Sequence, residues 1–341
     1  MTSPFLPGTK IQFAWDSTSL GWFKECPRLY QYYMIEGWSP KGERIHLKYG
    51  QLYHSGLELY DKLRCQSLSH DDALNEVVSK ALYDTWEYPV DTEQNAPNQL
   101  AGGGKPWTPD HTSKTRETLI RSLIWYLEQF GVDDPAETVV LANGKPAVEL
   151  SFKMELDWGP AQSVMVDGPV SASYPGEVIN TKAIQPYILC GHLDRVVNFA
   201  GGTYVMDRKT TGSALGSNYF DQYDPDNQMS LYSMAAQVIY QTPVKGVIID
   251  AAQIMVGFTR FGRGFTYRTP TQTDEWLSDV ERWLRLAEQY ATEGYWPMND
   301  KSCHKYGGCT FRKICSKSPE VRQKFLESDF EKREWNPLEP R

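Results

Sequence analysis

Residues 191–211 read Gly191-His192-Leu193-Asp194-Arg195-Val196-Val197-Asn198-Phe199-Ala200-Gly201-Gly202-Thr203-Tyr204-Val205-Met206-Asp207-Arg208-Lys209-Thr210-Thr211. Val196, Val197 and Phe199 belong to one apolar run, and Tyr204, Val205 and Met206 to the next. Asn198 and Ala200-Gly201-Gly202 between them are turn chemistry, so the stretch predicts an antiparallel hairpin. Folding back there brings Asp194 close to Asp207. Residues two apart on a strand share a face, which puts Lys209 on the side of Asp207. Two carboxylates and an ammonium then converge at one end of the hairpin. Carboxylates are what a hard divalent cation such as Mg²⁺ prefers, beside waters and substrate phosphate oxygens. A lysine next to them can orient or activate an attacking water. Gly-x-x-Asp and Asp-x-Lys are each short enough to occur at ordinary solvated strand ends. What lines up around them decides the reading.

Strand patterning begins at Val139. Val148–Leu156 alternates, Tyr187–Phe199 and Thr203–Thr210 form the hairpin, and Val247–Val256 is apolar enough for a central strand. Phe265–Arg268 follows through Gly262 and Gly264, and Gly168–Pro186 reads as a loop. Helical spacing appears from Asp16 to Met34 with a break at Pro27, over Leu47–Arg64, over 70–87 and 112–130, over Pro225–Tyr240 and over Thr273–Glu293. Pro89, Pro97, Gly102-Gly103-Gly104, Pro106 and Pro109 mark a breaker-rich connection between the third and fourth of these. Helix, three strands, helix, strand predicts an α/β sandwich around a mixed sheet, with 66–138 as a helical insertion.

The 341 residues carry a net charge of −8, with 40% hydrophobic and 23% charged residues, the balance of a globular protein. That charge excludes a generally basic surface, so any nucleic-acid binding must come from a local basic groove or from bound metal. The 11 Trp and 20 Tyr suit a packed core and base stacking equally. No apolar run reaches membrane-span length, and Met1–Lys10 lacks a basic-then-apolar signal. The expectation is a cytoplasmic protein whose six cysteines are not a disulfide framework. No Gly-x-x-x-x-Gly-Lys-Ser/Thr loop is present, so ATP-driven unwinding would come from a partner.

Further pieces fall in order along the chain. Gly50-x-x-x-His54 lies on the Leu47–Arg64 helix, Glu149 on the strand before Asp194, and Gln228-Met229-Ser230-Leu231-Tyr232 on the helix after the hairpin. With Gly191-x-x-Asp194 and Asp207-Arg208-Lys209, the set resembles the PD-(D/E)XK nuclease superfamily, in particular its RecB-like and Cas4-like branch with phage-type exonuclease relatives. The resemblance runs from residue 20 to 315 and leaves the helical insertion unexplained. It implies one nuclease domain over 1–341, with a restriction-endonuclease-like α/β core whose mixed central β-sheet is flanked by helices. It implies DNA as substrate and phosphodiester hydrolysis, by exonuclease action first, in DNA repair, recombination or phage DNA metabolism inside a bacterial or phage-infected cell. Asp194, Asp207, the His54 imidazole and the backbone carbonyl of Arg208 would hold Mg²⁺ or Mn²⁺. Lys209 would position or deprotonate the water. Gln228 would orient Lys209 or substrate, Tyr232 would support the helix or touch the DNA backbone, and Glu149 would act near the metal.

Cys303, Cys309 and Cys315 stand with five residues between neighbours, and Cys26 lies far upstream. One distant cysteine and three near the C-terminus is the pattern of this branch's iron–sulfur members, which implies a [4Fe–4S] cluster closed by the 294–316 loop onto Cys26. A structural Zn²⁺ on the same four thiolates, or simple reduced thiols, remain the alternatives. Cys65 and Cys190 match no motif and read as core. Lys301, Lys305, Arg312, Lys313 and Lys317, with Arg260, Arg263 and Arg268, are candidates to track phosphates or plain solvated surface. The competing function is a non-catalytic or partner-dependent DNA-binding subunit of a helicase–nuclease-like complex, with a helicase or recombination protein as partner. A zinc-stabilised interaction protein is the other rival.

Overall fold

The protein is described by a computed structural model covering residues 3–91, 96–97, 102–159, 186–240 and 243–339. Most of the loop read at Gly168–Pro186 lies outside the described residues. The strands of the main sheet are β1 (Ala14–Trp15), β2 (Glu137–Thr138), β3 (Val148–Leu156), β4 (Tyr187–Phe199), β5 (Gly202–Thr211), β6 (Val244–Ile254) and β7 (Thr259–Thr266). They form a mixed sheet in the order β1-β4-β5-β6-β7, with β2 and β3 also pairing β4. The β4–β5 and β6–β7 pairs are antiparallel, and β5–β6 is parallel. The α/β class with a mixed central sheet therefore holds. The chain divides into two compact units: Met1–Lys41 with Ser151–Gly191 and Pro270–Arg341, and Gly42–Leu150 with His192–Thr269.

The second unit carries α3 (Ile45–Cys65), α4 (His70–Asp84), α5 (Arg116–Phe130) and α6 (Asn227–Tyr240), numbered after α1 (Ser17–Glu25) and α2 (Pro27–Tyr30) of the first. Tyr49, Tyr53, Leu57 and Tyr60 recur every three or four residues along α3 and are buried with Ala73, Val77, Leu119 and Leu123 of α4 and α5. Ala252 and Ile254 of β6 close this core from the sheet. Each buried Leu, Val or Ile among them contributes about 1.5–3 kcal/mol by leaving water. Ser69 caps α4 through the Asp72 N–H, and Thr115 and Thr118 cap α5 reciprocally. That cap sets the α5 start later than the 112 read from spacing. The α3 N-cap is Arg44, which makes no side-chain cap, and the first turn holds no acid. The sheet separates two layers here. Arg208 of β5 reaches Asp61 of α3 at 2.7 Å, whereas Lys209, next in sequence, reaches Gln228 of α6 at 2.8 Å.

In the first unit Asp16 and Ser19 form the capping box of α1. Cys26, extended at φ −162°, ends α1 and starts α2, with Pro27 at its first position. The break read at Pro27 is thus real. Trp15 stacks on Tyr30 with centroids 5.4 Å apart. Phe330–Lys332 pairs antiparallel with Trp38–Pro40, and α7 (Pro270–Glu293) completes the unit's long elements. No described helix is long and apolar enough to cross a membrane.

Candidate active site

The β4–β5 ladder ends at the pair Met206↔Arg195, one position before Asp207 and Asp194 would face each other. The strands part there. The Arg208 N–H, which the ladder no longer uses, donates to Asp194 Oδ2 at 2.9 Å. The same oxygen lies 3.3 Å from His54 Nδ1 on α3. Glu149 joins them from β3. Ligating atoms of His54, Glu149 and Asp194 all lie within 4.8 Å of one another, and this is the one such group of His, Cys, Asp or Glu among the described residues. Glu149 stands at φ +50°, in the left-handed region that costs a side-chain-bearing residue about 1–2 kcal/mol. This strained position lies at the second residue of β3, on the residue whose carboxylate joins the group.

Asp207 is 1% exposed, with Oδ2 in an ion pair 2.8 Å from Lys209 Nζ. Lys209 donates to Gln228 Oε1 at 2.8 Å, and Gln228 Nε2 donates to Tyr232 Oη at 2.9 Å. Burial, with the Asp194 charge added, pushes the Asp207 carboxyl up to about 7, although Lys209 pulls against it. Burial opposes the charge on Lys209, but Asp207 and Asp194 outweigh it, so the ammonium holds its proton more tightly than usual. The sum is a surplus of negative charge centred on the buried Asp194 and Asp207. One imidazole and two carboxylates in ligating reach, beside a third carboxyl whose proton burial holds more tightly than usual, fit a divalent cation with oxygen and imidazole ligands.

The structure thus brings His54, Glu149, Asp194, Asp207, Lys209, Gln228 and Tyr232 together in one unit. Sequence reading missed two residues that serve them. Asp226 accepts the Met229 N–H at the start of α6, and its charge is felt by Asp207 and Lys209. An acidic residue two before Gln228 was the available signal, but it looks like an ordinary helix cap. Asp61 pairs with Arg208 and lies 3.7 Å from Arg195. Burial opposes charge on Arg208, yet Asp61, Tyr126 and Asp250 together hold its proton more tightly than usual.

Some expectations are corrected. Arg263 does not face solvent phosphates. It stands opposite Asp250 in the β6–β7 register, 3.2 Å away, and binds Asp134 at 2.6 Å. Arg268 is held by Asp224, Ser230 and Tyr223. Arg260, Lys301, Lys305, Arg312, Lys313 and Lys317 are exposed. Cys190 is buried as expected, but Cys65 is only partly buried, lining a cavity of about 250 Å³ with Asp61, Arg64 and Arg195.

The other four cysteines lie in the first unit. Cys26, Cys309 and Cys315 share a core with Phe311 and Ile314. Burial raises the Cys309 thiol, with Cys26 and Cys303 adding to it. Burial raises Cys315 to about 11, with Cys309 and Cys26 adding to it while Arg28 opposes. Cys26 Sγ accepts the Asn299 N–H at 3.3 Å, and the Cys309 N–H donates to the Cys303 carbonyl.

A family model described as the PD-(D/E)XK nuclease superfamily matches residues 17–316. Among solved structures, that of a candidate exonuclease from Eubacterium rectale aligns over 86% of this chain and 86% of its own, at TM-score 0.41 and 10% identity. No curated protein matches the sequence.

Proposed function

The chain belongs to the PD-(D/E)XK nuclease superfamily, and from that premise we propose that it is a metal-dependent deoxyribonuclease of the RecB-like and Cas4-like kind, degrading DNA from an end. The observation that carries this reading is the meeting of His54, Glu149 and Asp194 beside the Asp207–Lys209 pair. These side chains, with the Arg208 carbonyl, would hold Mg²⁺ or Mn²⁺. The cation would supply Lewis acidity at the phosphate and at the attacking water. Burial opposes the charge on Lys209, but Asp207 and Asp194 make it hold its proton more tightly than usual, so we assign it as a donor to water and phosphate rather than as the base. Gln228, itself tied to Tyr232, fixes the lysine's direction. Asp61 anchors Arg208 and so sets the backbone from which Asp207 and Lys209 project.

The same reading gives Cys26, Cys303, Cys309 and Cys315 to a [4Fe–4S] cluster, supported by the core that Cys26, Cys309 and Cys315 share and by the influence of Cys26 and Cys303 on the Cys309 thiol. The exposed Lys301, Lys305, Arg312, Lys313 and Lys317 around it suit a DNA backbone. Unwinding of duplex ends falls to a helicase or recombination partner.

The test incubates end-labelled linear and circular DNA with Mg²⁺ or Mn²⁺, using wild type, Asp207→Asn and Lys209→Met. Degradation of linear DNA by wild type, with each variant slower by about 10²-fold or more, is expected. Cutting of circles would make it an endonuclease. No cleavage by wild type with either metal and an intact cluster would leave a DNA-binding or partner-dependent subunit.

A further inference from the structure

The start of α3 gathers basic side chains, among them a buried ammonium with no hydrogen-bond partner. His46, on its first turn, faces His111 with ring centroids 4.9 Å apart. Lys114, 2% exposed, sets its ammonium 4.5 Å from the centre of the Tyr49 ring. That ammonium is buried with no hydrogen-bond partner, and so is the Nε of Arg44 at the N-cap. His111 Nδ1 accepts the N–H groups of Ser113 and Lys114, at 3.1 and 2.9 Å, which leaves its Nε2–H as a donor. The near carboxylate, Glu43, is occupied by Lys48 at 2.5 Å and by the Trp107 indole N–H. The other charged group facing Tyr49 is Arg121 of α5, again a cation. A 21-residue helix also presents unbonded N–H groups and the positive end of its dipole here.

A buried ammonium without a counter-charge is costly, and the cost disappears when an anion arrives. Burial brings Lys114 down to about 8. Burial, followed by His111 and Lys114, also lowers His46. An anion would reverse both effects.

Position supplies the ligand's identity. His46, Gly50 and His54 follow one another at four-residue steps, along roughly one side of α3. The distance from His46 to His54 along the axis is about 12 Å. Gly50 leaves the lane between them low: a Cβ there would meet only Thr210 Oγ1, at 3.7 Å. A stacked strand carries one phosphate per roughly 3.4 Å. We propose that Arg44, His46, His111 and Lys114 form a second phosphate subsite, which holds a non-scissile phosphate of the substrate strand roughly three to four nucleotides from the cut. This rests on the nuclease reading of the metal centre.

The test follows the His46 and His111 imidazole protons by NMR while hexathymidylate is added with Ca²⁺, and separately while inorganic phosphate is added. Cleavage of labelled DNA with Mg²⁺ is assayed on the same preparation. Both histidines should shift and titrate at higher pH with the hexamer. Lys114→Met should weaken hexamer binding about 10-fold and reduce the slope of log K against log salt by about 1. His46→Gln, at an exposed position, should weaken binding in the same direction and serves if Lys114→Met does not fold. Shifts with inorganic phosphate but not with the hexamer would make this a free-anion site and overturn the proposal. Cleavage without histidine shifts overturns the subsite and leaves the nuclease. Shifts without cleavage leave the subsite and overturn the autonomous nuclease.

Discussion

Burial, with the Asp194 charge adding and the Lys209 ammonium opposing, makes the Asp207 carboxyl hold its proton up toward neutral pH, and this has consequences for stability. Its carboxyl titrates near 7 in the metal-free fold, against about 3.9 in an unfolded chain. Between those values the folded state binds the extra proton, so its stability falls as pH rises from about 4 through 7. A cation replaces the proton and should abolish that slope. Urea midpoints measured from pH 4.5 to 7.5 should therefore drop with pH for metal-free wild type, more than for Asp207→Asn. Saturating Mg²⁺ should flatten the wild-type curve, and equal slopes for the two proteins without metal would refute the assignment. Glu149 gives a second test at this scale. Its φ of +50° suits glycine, so Glu149→Gly should be more stable than Glu149→Ala by about 1 kcal/mol, the reverse of the usual order in a strand. Both variants should lose cleavage. Denaturant midpoints that favour Ala would mean the backbone is not strained there.

At the scale of elements, α3 meets α5 in the second unit at Gly56. A Cβ built on it would meet Leu123 Cδ2 at 2.8 Å, so α3 approaches α5 only because that side chain is missing. Gly56→Ala should cost about 1–3 kcal/mol despite alanine's better helix propensity, and adding Leu123→Ala should recover part of the loss relative to Leu123→Ala alone. A stabilised Gly56→Ala would show that the helices shift freely. Elements of this kind were legible from period alone. Val148–Leu156 and Tyr187–Phe199 have the ends that alternation and turn residues assign them. The ordered motif pieces also located seven side chains that do meet. What stayed hidden depends on register and strain. Arg263 looks like a surface cation until Asp250 is known to stand across from it. The positive φ of Glu149 has no local sequence mark. Asp61 and Asp226 read as an ordinary helix residue and an ordinary cap, and only the burial of Arg208 and Lys209 near them shows their use.

Across the whole molecule, the site carboxylates and Lys209 belong to one unit, and Cys26, Cys303, Cys309 and Cys315 to the other. The first unit is assembled from three separate stretches of chain, 1–41, 151–191 and 270–341. Its Cys26 core joins the first to the third through Phe311, Ile314, Leu326 and Phe330. Closing so long a loop is entropically unfavourable but only slowly length-dependent, so a covalent tie at its ends removes much of the freedom of the open chain. A cluster on Cys26, Cys303, Cys309 and Cys315 would be that tie. Protein purified anaerobically should be brown, with broad absorption near ~400 nm from cysteine-ligated iron. Cys309→Ser should bleach it and speed amide exchange in 17–35 and 300–330, while peptides of α3 and α5, which rest on their own core, keep their protection. A colourless protein with one zinc per chain would replace the iron but keep the tie. Unchanged exchange in a bleached Cys309→Ser would remove the tie itself.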